Sequence, residues 1–147
     1  KTAFEPYRRF YTAHQRQMET SLQTLRSQVR GQLSKGAPSL QKLATLDAAF
    51  ESILSEREAL LLGKVVKLQE KRFTQALKKH IQQLSQLQAE ATAEGAEASS
   101  ATAVSPLPWL LPLRQAMRNA LLAELDTRMQ PVLGLVEAFN ANNPKEQ

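Results

Sequence analysis

Cysteine is absent from this sequence, and glycine and aromatic side chains are scarce. The 147 residues contain no Cys and five Gly, and only 5% of them are aromatic. Without cysteine the protein has no disulfide, thiol nucleophile or thiolate metal site. β-branched residues are also few, so a sheet has little to build from. The composition therefore favours an all-α fold formed by a single domain.

A membrane-spanning run is missing as well. The apolar stretch at 107–113 is far shorter than the ~20 residues that a bilayer span requires, and it contains Pro108 and Pro112. The sequence opens at Lys1 without Met and without a signal-peptide pattern. We expect a cytoplasmic protein whose natural chain begins upstream of Lys1.

The longest predicted element is an amphipathic helix over residues 39–90, which holds no proline and one glycine, Gly63. Good helix formers fill it, and at ~1.5 Å per residue it makes a rod of roughly 75–80 Å. Apolar residues recur at steps of three and four, as in an amphipathic helix. The main members of this stripe are Leu40, Leu43, Leu46, Phe50, Ile53, Leu54, Leu60, Leu61, Val65, Leu68, Phe73, Leu77, Ile81, Leu84 and Leu87. The stripe shifts phase near Gly63, which predicts a kink or a change of packing partner there.

Two shorter helices are predicted at 4–34 and 107–140. A turn marked by Gly36 and Pro38 separates the first from the long helix. A flexible linker is predicted at 91–105, because its small and acidic residues bury too little surface to offset their ordering entropy. Pro131 lies inside the apolar stripe of the third helix and predicts a kink near that position.

The long helix exceeds the dimensions of one small globule, so the other helices are expected to cover it in turn. We expect the first helix to return along its first half and the third along its second half. This gives elongated antiparallel hairpins with coiled-coil-like packing. Two helices rarely enclose a core, so a homodimer that completes a four-helix arrangement is expected. The alternative is a compact three-helix monomer in which the long helix overhangs.

No set of residues indicates catalysis. His14 lies in the apolar stripe of the first helix, where a hydrogen-bonded structural role is expected, and His80 lies on a basic turn. Glu124 and Asp126 diverge by about 200° on a helix, so we expect them to pair on the surface with Arg128 and its neighbours. There is no metal-ligand pair, Gly-rich phosphate loop or nucleophile–base motif. The sequence predicts a protein that is not an enzyme and holds no cofactor or metal.

Five residues are candidates for contacts with a protein partner. Arg57 and Arg72 interrupt the apolar stripe, either to fix the register of a helix pair or with side chains that extend to solvent. Trp109 is expected to fill an apolar groove, with stacking on a ligand as the alternative. Pro131 is expected to bend the third helix, and Gly134 lets a second helix or a partner approach closely.

The net charge of +5 is concentrated at the start of the sequence. The first 35 residues hold seven Lys or Arg against two Glu. Such a helix can attract nucleic acid or anionic lipid, but a solvated helix face is the favoured explanation of the charge. The candidate basic surface consists of Arg8, Arg9, Arg16, Arg26 and Arg30. No recognition motif accompanies these arginines, so any binding is expected to be non-specific.

Several segments resemble a known family: FEPYRRFY, HQRQME, LDAAFESILSEREALLLGKVVKLQEKRF and LLAELDTRMQPVLGLVEAF. The sequence is similar to an uncharacterised proteobacterial helical family, domain of unknown function three-three-four-eight, from Phe4 to about Phe139. The last of these segments is the most specific. The resemblance implies an all-helical bacterial protein with no assigned activity, encoded beside envelope proteins of the outer-membrane-protein-A and proton-channel types. It also implies a further N-terminal segment. Because the family has no known catalytic residues, the resemblance assigns no functional site to this sequence.

These observations predict a non-enzymatic helical scaffold or adaptor that acts through protein–protein contacts. The resemblance adds the expectation of a bacterial envelope-associated complex. The alternative is non-specific binding of nucleic acid or an anionic surface through the basic first helix.

Overall fold

A computed structural model describes residues 2–93 and 108–142 of the protein. These residues contain three α-helices. Helix α1 spans Glu5–Leu33, α2 spans Pro38–Ala93 and α3 spans Leu111–Asn142. Short 3₁₀ turns at Thr2–Phe4 and Pro108–Leu110 precede α1 and α3. The described residues contain no strand. The prediction of an all-α fold is confirmed.

A tight turn joins α1 to α2. The backbone N–H of Gly36 donates to the carbonyl of Leu33 (3.0 Å), and α2 begins two residues later at Pro38. A Cβ atom at Gly36 would lie 2.9 Å from Cδ1 of Leu40. The missing side chain therefore lets the first turn of α2 pack directly against the end of α1, with Leu33 and Leu40 both buried.

Two apolar clusters hold the helices together, and each draws on all three. The first cluster contains Phe4, Tyr11, Val66, Phe73, Leu113 and Met117. The second cluster contains Leu33, Leu40, Ala44 and Leu135. The starts of α1 and α3 thus lie together beside the middle of α2, and their ends lie together beside its start. Helices α1 and α3 are parallel to one another and antiparallel to α2.

The expectation that α1 and α3 would cover different halves of α2 is wrong. Both pack along the same part of it and contact one another, so the three-helix alternative describes the arrangement within the chain. Each helix therefore packs against both of the others. The 14 residues between positions 93 and 108 can span up to ~3.3 Å each, so α3 need not begin where α2 ends. Residues 81–93 of α2 extend about 20 Å past the start of α3.

Helices α2 and α3 are continuous through Gly63 and Pro131, and the kinks expected there stay predictions. A Cβ atom at Gly63 or Gly134 would meet nothing within 4 Å. No helix of the described chain therefore makes a close approach at Gly134. The first three residues of the predicted linker belong to α2, and the others lie outside the described residues.

Candidate functional site

A layer of polar side chains separates the two apolar clusters. Glu124 of α3 is buried, and its carboxylate accepts hydrogen bonds from Nε2 of Gln15 (2.8 Å) and Nε of Arg128 (3.1 Å). Nη1 of Arg128 lies 3.0 Å from Oε1 of Glu58 on α2. We expected Glu124 to pair with Arg128 on the surface. The pair forms, but the surface location is wrong, because two donors compensate the carboxylate well enough for it to be enclosed.

Two neutral side chains in the core each carry a buried oxygen without a hydrogen-bond partner among the described residues. These oxygens are Oη of Tyr11 and Oε1 of Gln69. Burial, and to a smaller extent the charge of Glu124, raises the pKa of Tyr11 to about 12. A buried polar atom without a partner reduces stability. Nothing in the sequence distinguished these two residues from their neighbours.

A second polar contact joins α1 to α2. Arg26 donates from Nε (2.9 Å) and Nη2 (2.6 Å) to the two carboxylate oxygens of Asp47, and Nη1 of Arg30 donates to Asp47 (2.9 Å) and to Glu51. Burial by itself raises the pKa of Asp47, but the hydrogen bonds from Arg26 and Arg30 outweigh it and hold that pKa below its ordinary value. The prediction that Arg26 and Arg30 belong to an open basic surface is therefore wrong. Both arginines face carboxylates of α2, and their side chains are only 15% and 17% exposed.

The other predicted basic residues lie at the start of α1. Arg8 and Arg9 both form ion pairs with Glu5, with Nε of Arg9 3.0 Å from Oε1 of Glu5. Hydrogen bonds from Arg9 and then from Arg8 lower the pKa of Glu5. Among the five arginines of the predicted surface, only Arg16 has no ion-pair partner within the described residues.

Trp109 packs at the start of α3. Its ring centroid lies 5.7 Å from that of Phe73 and 5.1 Å from that of His80, with the Trp109 and His80 rings inclined by only 15°. The side chain therefore attaches α3 to α2, in agreement with the interpretation of Trp109 as a residue that fills an apolar groove. The contact with His80 had no counterpart in the sequence pattern.

One face of α2 is apolar and exposed in the part of the chain that the structure describes. We call it the α2 stripe. It consists of Leu46, Phe50, Ile53, Leu54, Leu60, Leu61 and Leu68, whose exposed fractions run from 47% to 68%, together with the exposed Arg57. At ~100° per residue, the seven apolar residues lie within about 60° of the direction of Arg57. Val66 and Phe73, which pack in the first cluster, point to a different side. The α2 stripe is thus a second apolar face, and Arg57 lies at its centre.

Arg72 lies on α2 just beyond the α2 stripe. It is exposed and has no ion-pair partner in the described part of the chain. The basic residues Lys71, Lys78 and Lys79 are exposed on the same helix. The exposed surface of α2 therefore changes from apolar, in the α2 stripe, to basic toward the overhanging end of the helix.

An apolar groove runs between α1 and α3. Its apolar lining comes chiefly from Phe10, Met18, Leu121, Leu122 and Leu125, and its polar lining from His14, Arg114 and Arg118. Among the described residues, none of α2 and none that is acidic lines this α1–α3 groove. His14 is exposed, with Nδ1 2.8 Å from the carbonyl oxygen of Phe10, so the expected hydrogen bond is present but the side chain is not in the core.

Pro131 and Gly134, both on α3, lie in different environments. Pro131 is half-buried and lines a cleft with Leu22, Phe50 and Arg128. Gly134 is exposed. The structure therefore places Pro131 beside the Phe50 end of the α2 stripe, whereas Gly134 does not line this cleft.

Ionisable groups of the polar layer are engaged with one another. In residues 2–93 and 108–142, no group of three or more His, Cys, Asp or Glu side chains could hold a metal ion. None of the helices, over the same residues, combines the length and hydropathy needed to cross a bilayer. The polar layer joins the helices to one another. The described surfaces best suited to contact another molecule are the α2 stripe and the α1–α3 groove.

Over residues 2–93 and 108–142, the fold and these surfaces define an all-α three-helix bundle whose longest helix carries an exposed apolar face. The chain belongs to the family described as Protein of unknown function (DUF3348), whose sequence profile matches residues 1–141. The resemblance seen in the sequence is thereby confirmed. No curated protein and no solved structure matches the chain.

Proposed function

We propose that this protein is a non-enzymatic helical scaffold that self-associates through the α2 stripe. The observation that supports the proposal is the exposure of seven large apolar side chains on one face of one helix. A contiguous apolar patch of this kind commonly marks a protein contact. A second bundle placed on it provides the further helical layer that this face of α2 lacks.

The energy available from covering the α2 stripe is of the size that association requires. Full burial of a large apolar side chain contributes about 1.5–3 kcal/mol, so burying the exposed half contributes about 1 kcal/mol for each. Seven such residues in each of two copies contribute about 14 kcal/mol in gross terms. The loss of rotational and translational freedom opposes this with about 4–15 kcal/mol. Association near micromolar concentrations is the expected result.

Light scattering at micromolar concentration tests the proposal. We expect a mass of twice 16.4 kDa for the native chain and a mass near 16.4 kDa for Ile53→Lys combined with Leu60→Lys. Leu111→Lys is the matched control, because Leu111 is 57% exposed but lies outside the α2 stripe. A native chain that is monomeric and melts cooperatively would contradict self-association.

The adaptor part of the proposal concerns the α1–α3 groove. Its apolar floor, its two arginines and its lack of acidic residues are complementary to an acidic amphipathic helix of a partner protein. Arg118→Cys labelled with a photoreactive maleimide should cross-link to such a segment in a bacterial lysate. Lys79→Cys on α2 is the control position. Cross-links that are no more frequent than in the control, or that map to neutral or basic segments, contradict this assignment.

Nucleic-acid or anionic-surface binding is the less favoured function. The ion pairs of Arg26 and Arg30 with α2 remove two of the five arginines on which it depends. We expect no change in fluorescence anisotropy when labelled DNA or RNA is titrated at low salt. Binding that weakens steeply as salt is added would favour this alternative.

A further inference from the structure

We infer that α2 pairs antiparallel with α2 of a second copy, and that the two-fold axis passes beside Arg57. This inference rests on the proposed self-association and adds the orientation and register of the pair. It is carried by the symmetry of the α2 stripe and by its charges.

The apolar positions of the α2 stripe are arranged symmetrically about Arg57. Leu54 and Leu60 lie three residues to either side of it, and Ile53 and Leu61 lie four residues to either side. An isologous two-fold contact requires that a residue which faces a given position be faced by that position in return. An antiparallel pair centred on Arg57 satisfies this condition, since it brings each Leu54 level with Leu60 of the partner subunit.

The symmetry extends to the ends of the α2 stripe. Leu46 and Leu68 lie eleven residues to either side of Arg57, so each faces the other across the pair. The one asymmetric pair is Phe50 with Lys64, seven residues to either side. A lysine opposite an aromatic ring is a favourable contact, because the ammonium group is attracted to the ring face.

The charges of α2 favour antiparallel over parallel pairing. A parallel pair would place Lys64 opposite Lys64 and would bring together the basic segments that contain Arg72 and Lys79 at one end. The antiparallel pair sends those segments to opposite ends. Its like-charged neighbours are Arg57 with Arg57 of the partner subunit at the centre, and Arg72 level with Lys42 of the partner subunit beyond the ends of the α2 stripe. Glu56 is exposed, has no ion-pair partner among the described residues and adjoins Arg57. Each Arg57 is therefore placed to bind Glu56 of the partner subunit.

Cysteine cross-linking tests the register, because the native sequence has no cysteine that could interfere. Arg57→Cys should form a covalent dimer with itself under a short bismaleimide. Leu46→Cys alone and Leu68→Cys alone should not, since equivalent residues lie about 33 Å apart along an antiparallel pair. The double variant Leu46→Cys/Leu68→Cys should cross-link. Its two thiols are equally far apart within one helix and so react only between copies.

Light scattering on each variant separates this inference from the proposed function. Self-cross-linking of Leu46→Cys and Leu68→Cys would show a parallel pair and overturn the inference while leaving self-association intact. A dimer in which Arg57→Cys does not cross-link, or the double variant does not, would place the contact on another face or in another register, with the same consequence. A native chain that is monomeric would overturn the inference and the proposed self-association together.

Discussion

Removal of Arg128 tests whether the polar layer is a buried charge network. The side chain of Arg128 is 11% exposed and that of its partner Glu124 only 2% exposed. Arg128→Met leaves Glu124 charged and enclosed, with Nε2 of Gln15 as its remaining donor at 2.8 Å. Removing one partner of a buried ion pair destabilises a protein by about 3–5 kcal/mol. Because Gln15 stays in place, we expect about 3 kcal/mol.

Urea unfolding followed by helical circular dichroism measures this change at one fixed protein concentration. With an m-value of about 1–3 kcal/mol per molar urea, the midpoint should fall by roughly 1–3 M. Glu58→Gln is the control for the exposed end of the network. Glu58 is 41% exposed, so its pair with Arg128 is largely screened by solvent, and the substitution should change stability by about 1 kcal/mol or less.

The double variant Glu124→Met/Arg128→Met tests whether the loss of stability in Arg128→Met comes from the unpaired charge of Glu124. Since it removes the buried charge together with its partner, it should be more stable than Arg128→Met alone. A double variant as unstable as the single variant would show that Glu124 is not an uncompensated charge in the single variant. A loss below about 1 kcal/mol for Arg128→Met would lead to the same conclusion.

Three further predictions follow from the structure. Asp47→Asn should flatten the acid-unfolding profile, because the lowered pKa of Asp47 gives stability that is complete above its ordinary value of 3.8 and is lost as the pH falls below it. A variant with the same acid dependence as the native chain would contradict this. Tyr11→Phe should preserve or raise stability at neutral pH by about 1 kcal/mol. It should also reduce the alkaline loss of stability that begins near the ordinary pKa of 10.0 and continues to about 12. Gly134→Ala and Gly63→Ala should each raise the free energy of unfolding by about 1 kcal/mol in thermal melts, since the new methyl groups meet open space; a loss at Gly134 would indicate a close contact outside this chain.

The sequence alone determined the three helices. Each backbone hydrogen bond of an α-helix joins residues four apart, so local composition and apolar spacing decide whether a helix forms. Proline at the first turn of α2 and glycine in the preceding turn likewise act within a few residues. For these reasons the predicted helices at 4–34, 39–90 and 107–140 lie close to the observed elements.

Only the tertiary structure decided which apolar face of α2 is covered. The sequence showed a broad stripe from Leu40 to Leu87 whose members look equivalent. The bundle covers the face that holds Val66 and Phe73 and leaves the α2 stripe exposed. Spacing identifies an apolar face, but it does not state which other helix lies against it.

The same limit applies to the charged residues. Arg26 and Glu124 were both predicted to lie on the surface, because their partners are distant in the sequence. Arg26 binds Asp47, 21 residues away, and Glu124 binds Gln15, 109 residues away. Burial of a charge depends on donors and acceptors supplied by distant segments. Helix formation is decided by neighbours in the sequence, whereas burial, charge pairing and the faces left open are decided by neighbours in space.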